Sequence, residues 1–174
     1  MALRRGLPDS ARELGRLDPD AIARVRDEAR PDPRDAEELH DALLELIVLR
    51  PDATWSGWFD ELCRAGRAAI ADTVAGALWL ATERREHVDA LFPGAPVEPD
   101  VRLPASSRSA GRPEIDEEAA TVAATRGHLA TMGPATAADL ALRIGRPVRA
   151  VEQALAKLEA EGFALRGPLR SGAR

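Results

Sequence analysis

Apolar positions in the first half of the chain recur at helical spacing in short blocks. Asp18 with Pro19 behind it predicts a helix start, with Ile22 and Val25 on one face and an end near Glu28. ARPDPRD breaks that helix, and Asp35 followed by Glu38 three residues later has the outline of a capping box. The stripe Leu39, Ala42, Leu43, Leu46 and Ile47 then predicts a second helix. After the turn RPDAT, Thr54 opens a third, with Trp55, Trp58, Phe59 and Leu62 on one face and Gly66 at its end. RAAIADTVAGALWLAT changes period and predicts a ribbon, with strands near 67–71 and 78–82. A helix over 83–92 closes this unit.

The next stretch, PGAPVEPDVRLPASSRSAGRPE, has five prolines and no sustained period, which predicts extended, mobile chain. Beyond it the order nearly repeats. A helix over 117–132 is stopped by Gly133 and Pro134. Thr136 caps a short helix anchored by Leu140 and Ile144, and Gly145-Arg146-Pro147 turns the chain. Val148, Val151, Leu155 and Leu158 form the inner stripe of a third helix, which Gly162 ends. FALRG begins a strand. Helix, helix–turn–helix and ribbon is the order of a winged helix. The fold class expected is therefore mainly α with small β-ribbons (α+β), as tandem winged-helix domains. The division is a leader over 1–16, a first unit over 17–92, a linker over 93–115 and a second unit over 116–174.

Composition sharpens this outline at a few points. With 45% hydrophobic and 30% charged residues the chain reads as a folded, soluble protein. It has no apolar run long enough for a membrane span and no signal sequence, so the cytoplasm is the expected compartment. Net charge is −5, but seven basic and three acidic side chains between 140 and 174 give that segment +4 and leave −9 for the rest. The basic excess thus falls on the second unit.

In a helix–turn–helix the second helix enters the major groove. With its inner stripe assigned, that helix leaves Arg149, Ala150, Gln153, Ala156 and Lys157 outside. Arginine forks onto guanine and glutamine onto adenine, so Arg149 and Gln153 have the chemistry for base contacts. Arg146 and Lys157 are placed for phosphates, and the incipient wing offers Arg166 and Arg170. Against this, Glu152 and Glu159 lie near the same face, and charges on a helix commonly form nothing more than a solvated surface. The first unit exposes Asp60 and Glu61 on its third helix, which favours a scaffold role there.

Enzyme chemistry is hard to place. No GxxxxGK[ST] phosphate loop occurs, so no cofactor is expected in this chain. Asp27-Glu28-Ala29-Arg30 has the letters of an acidic helicase box, but it lacks the bound nucleotide phosphates beside which such an aspartate holds magnesium. His40, His87 and His128 are too far apart for a local metal motif. The single cysteine, Cys63, excludes an internal disulfide and has no activating neighbour in sequence.

LDPDAIARVRDEARPDPRDAEELHDALL (17–44), WFDELCRAGRA (58–68), the leader ALRRGLPD and the later GPATAADLALRIGRPVRAVEQALAKLEAEGFALRG resemble, in the same order, the region after the motor domains of Lhr-type (large helicase-related) DEAD/DEAH-box DNA helicases of bacteria. The stretch 31–44 is the most specific part. The resemblance implies DNA unwinding and repair as the setting. It also implies ATP and Mg, but only in motor domains that this sequence lacks. Two departures stand out: Arg30 occupies a position where the family often has tryptophan, and the family pattern continues beyond Arg170, so the second wing is expected to be truncated. The leading expectation is a DNA-binding accessory region favouring single strands or forks, without catalysis of its own, and served by a motor encoded separately. The alternatives are a stand-alone winged-helix transcriptional regulator and an inactive structural fragment.

Overall fold

The computed structural model describes Arg24, residues 31–103 and residues 114–167. Six α-helices have described bounds: α1 (Ala36–Leu46), α2 (Ser56–Arg64), α3 (Arg85–Leu91), α4 (Glu117–Ala130), α5 (Ala137–Ile144) and α6 (Val148–Ala160). Strands β1 (Ala68–Thr73), β2 (Gly76–Ala81) and β3 (Val97–Glu98) form one antiparallel sheet in the order β2-β1-β3. The fold is mixed α+β and mostly helical. The helix expected over 19–28 lies outside the described residues except for Arg24, which is helical.

Local chemistry accounts for the element starts. The Asp35 carboxylate accepts the Glu38 backbone N–H at 2.8 Å and caps α1. Glu38 does not reach back to Asp35, as a full box requires, but binds the Arg34 backbone N–H at 2.9 Å. Asp52, not Thr54, caps the next helical segment, which begins as a 3₁₀ turn over Ala53–Trp55. Thr136 and Asp139 form a reciprocal capping box at the start of α5. Gly145 ends α5 at φ 77°, in the left-handed region that glycine enters without a steric penalty.

Three expectations require correction. Ile47 is buried but stands outside the helix, closing α1 at φ 69°, a strained setting for a β-branched residue. Chain 93–103 is not loose: Val97 is buried and pairs with Ala71, and the Asp72 N–H donates to the Pro96 carbonyl at 2.8 Å. Arg85, itself buried, holds this stretch through Asp100 at 2.7 Å. Residues 163–167 form no strand; the N–H groups of Phe163 and Ala164 turn back to the Leu158 carbonyl.

The principal core draws on both halves. Leu78, Leu80, Leu91 and Phe92 pack in one cluster with Ala120, Ala124, Leu140, Ile144 and Val151. A smaller cluster forms under α1 and α2, where Phe59 stacks on Trp79 with ring centroids 4.0 Å apart. Helix α4 is the shared wall. Its small residues bring its backbone close to the end of α1, and a Cβ on Gly127 would overlap the Glu45 carbonyl. Next to it, His128 is 3% exposed and its Nε2 lies 2.9 Å from the Val48 carbonyl oxygen.

Thr125 is fully buried on α4 and its Oγ1 has no hydrogen-bond partner among the described residues. A buried hydroxyl left in that state costs free energy that an isosteric methyl does not. Thr125→Val is expected to stabilise the fold by about 1 kcal/mol. A higher urea midpoint with an unchanged slope would register the gain; a lower midpoint would show that the hydroxyl is satisfied.

Candidate nucleic-acid interface

Helix α6 presents Val151, Ala154 and Leu158 inward, with Leu155 half-buried. Val148 does not join that stripe: it is 43% exposed, because the α5–α6 turn leaves the first position of α6 at the rim. The outer crest is formed by Arg149, Gln153, Ala156 and Ala160, all exposed. Their spacing of three and four residues sets them on one face opposite the core. Arg149 forms no hydrogen bond or ion pair among the described residues.

The structure does not bring the six candidate side chains together. The Arg146 side chain is 12% exposed; it donates to the Leu91 carbonyl, pairs with Glu117 and lies 5.7 Å from the Phe92 ring centroid. It ties the turn to α3 and α4 instead of facing solvent, and its Nε is buried without a partner among the described residues. Lys157 is exposed, but its Nζ is 2.5 Å from Glu118 Oε1. Arg166 is exposed with its guanidinium 3.7 Å from Glu159, whose carboxylate also accepts the Arg166 backbone N–H. Gln153 borders a recess of about 460 Å³ together with Glu117, Glu118 and Thr121. Arg170 lies outside the described residues.

Glutamates thus hold three of the five described cations between 140 and 167. The other two are Arg149 and Arg143. Sequence reasoning counted Arg143 in the local charge without assigning it a site. Its position was legible all the same, since the anchors Leu140 and Ile144 leave residue 143 outward. Arg143 is exposed on α5, and its charge contributes to holding the His128 imidazole below its usual range, the larger cause being burial.

On the other flank of α6, where the second wing was expected, is a recess of about 900 Å³. Leu129, Leu155, Phe163 and Leu165 line it, with Glu152 and Arg166 at its border. Arg126 stacks over Phe163 at 4.5 Å and pairs with Glu161, closing the end of α6 against α4.

The remaining chemistry is sparse. Among the described residues no group of three or more His, Cys, Asp and Glu is arranged to hold a metal ion. Burial, reinforced by Asp60, raises the Cys63 thiol above its ordinary range, the opposite of an activated nucleophile. His40 sits 4% exposed between Arg67 at 3.0 Å and Glu83 at 3.2 Å, in a contact that knits α1 to the sheet. No helix among the described residues is long and apolar enough to cross a membrane. No protein-family model and no curated protein matches the chain.

Proposed function

We propose that this chain is a DNA-binding accessory module of an Lhr-type helicase, a tandem winged-helix arrangement in which α6 is the recognition helix of the second unit. The observation that carries the reading is the α6 crest. Arg149 and Gln153, which have no partner among the described residues, stand on an exposed face whose other crest residues, Ala156 and Ala160, are small enough to allow close approach. Arg143, on the neighbouring helix, adds a second cation without an ion pair among the described residues. Such a surface makes backbone contacts of modest strength and helps guide a strand. In this reading ATP, magnesium and unwinding belong to a separately encoded cytoplasmic motor, and repair is the setting in which the two act.

The test is a salt titration of binding to single-stranded, forked and duplex DNA. Arg149→Ala is expected to weaken binding about tenfold at low salt and to reduce the salt slope by about one. Lys157→Ala is expected to change it far less, since Glu118 already neutralises that ammonium. Equal effects of the two substitutions, or none from Arg149→Ala, would remove α6 as the contact surface.

A second reading, an architectural part without nucleic-acid contact, is favoured by the pairing of Arg146, Lys157 and Arg166 with glutamates. It predicts no salt-dependent DNA binding at all.

A further inference from the structure

The β1–β2 ribbon of the first half ends in a two-residue loop, Val74-Ala75, after which Gly76 at φ 98° lets the chain return. Thr73 braces the loop, its Oγ1 donating to the Gly76 carbonyl at 2.7 Å and accepting the Ala75 N–H at 3.1 Å. This loop is docked on the α5–α6 turn. Arg50 donates through Nη1 to the Ala75 carbonyl at 3.0 Å and through Nε and Nη2 to the Leu142 carbonyl at 3.0 and 2.6 Å. The Ala75 methyl is only 2.9 Å from where a Cβ on Gly145 would stand, so the two turns touch.

Around this joint three apolar side chains remain in water: Val74 at 106%, Leu142 at 71% and Val148 at 43% exposure. They come from three elements, and each borders a guanidinium-bearing stretch. Arg50 lies between the turns, Arg143 follows Leu142, and Arg149 follows Val148. The carboxylates next along the chain are Asp72, two residues before Val74, Asp139, three residues before Leu142 on α5, and Glu152, one turn further along α6. Arg143 and Arg149 form no ion pair with any described carboxylate.

Apolar side chains gain little against the side of a duplex, which presents hydrated phosphates. The end of a duplex differs. Its terminal pair offers an apolar base face with phosphates on both sides, and apolar side chains are used elsewhere to part or cap base steps. An apolar ridge bordered by Arg143 and Arg149, which have no ion pair among the described residues, is complementary to that pattern.

We infer that the Val74 loop and the α5–α6 turn form one composite site that takes the end of a duplex, where paired strands part, with Val74 and Leu142 against the base face and Arg143 and Arg149 on the flanking phosphates. The inference rests on the DNA-binding reading above and deepens it by naming the DNA structure bound.

The experiment compares the full chain with the double variant Val74→Gln, Leu142→Gln on a forked duplex and on a covalently closed circular duplex, which has no ends. Both positions are solvent-exposed, and an unchanged melting temperature checks that the fold is kept. The unsubstituted chain is expected to bind the fork about tenfold more tightly than the circle. The double variant is expected to lose that preference while its affinity for the circle stays the same. Equal binding of fork and circle by the unsubstituted chain, or a preference that survives both substitutions, overturns the inference and leaves the DNA-binding reading standing. Failure to bind either DNA overturns both. If the substitutions leave DNA affinity untouched but abolish self-association in sedimentation, the ridge is a contact between copies and the inference falls.

Discussion

Replacing Gly127 with alanine is expected to destabilise the protein by about 3 kcal/mol, the upper end of what overpacking a closed core costs. The added Cβ would overlap the Glu45 carbonyl oxygen, with the carbonyl carbon 2.9 Å away and the Leu46 Cα at 3.2 Å. All three atoms are backbone, so no side chain can rotate to make room. Relief requires α4 to move off the end of α1, and such a shift breaks more than one contact. The neighbouring His128 would lose its bond to the Val48 carbonyl, and Ala120 and Ala124 would separate from the sheet side of the core. For a domain of this size each kcal/mol moves the melting temperature by about 2–4 °C, so a fall on the order of 10 °C is expected. Helix propensity alone favours alanine over glycine by about 1 kcal/mol. A variant that melts at or above the parent temperature would therefore mean that α4 and α1 are not in contact.

Much of the secondary structure was legible because it is written in local chemistry. Asp35 and Thr136 cap the helices they were expected to cap, and the period change after Gly66 marks a real ribbon. What was not legible depends on partners far away in sequence. Strand β3 is two residues long, set between prolines, and has no alternation to reveal it; the open edge of β1 selects it. Ile47 continues the apolar stripe of α1 and is buried as that stripe implies, yet its backbone leaves the helix because the chain must turn toward β2 there. Arg146 gives the plainest case. An arginine between glycine and proline reads as a solvated turn residue, but the Leu91 carbonyl and Glu117, 55 and 29 positions away, decide where it goes.

The same dependence explains why the structure leaves only some of the candidate side chains exposed and unpaired among the described residues. The basic excess expected over residues 140–174 is a property of the sequence alone; which carboxylates fold against it is not. Glu117 and Glu118 open α4, where acidic residues favour the helix N-terminus, and the fold brings that end beside α6. Arg143 and Arg149 are exposed and form no ion pair among the described residues. The joint between the Val74 loop and the α5–α6 turn had no sequence signal at all, since it exists only once the halves share a core.

That shared core should be sensitive to acid through one residue. His128 is buried and its imidazole is pushed down from an ordinary 6.5 to about 4, chiefly by desolvation; Arg143 pushes the same way and the Val48 carbonyl opposes. The bond to Val48 requires a proton on Nε2, so Nδ1 is the nitrogen that stays bare in the neutral ring. In the unfolded chain the ring takes up a proton below about pH 6.5, whereas in the folded chain it resists until about pH 4. Between those values the unfolded state binds more protons, so stability rises with pH and falls as the solution is acidified. The slope approaches about 1.4 kcal/mol per pH unit, and roughly 3 kcal/mol is lost by pH 4. Carboxylates titrate over part of the same range and blur the total. The comparison that isolates His128 is therefore a difference. His128→Gln keeps an N–H for the Val48 carbonyl and cannot take up a proton. The parent is expected to lose stability relative to this variant as pH falls from 7 to 4.5 in urea titrations, most steeply below pH 6. A parent-minus-variant difference that stays flat across that interval would show that His128 protonates in the folded state as readily as in the unfolded one, and that α4 does not seal it from water.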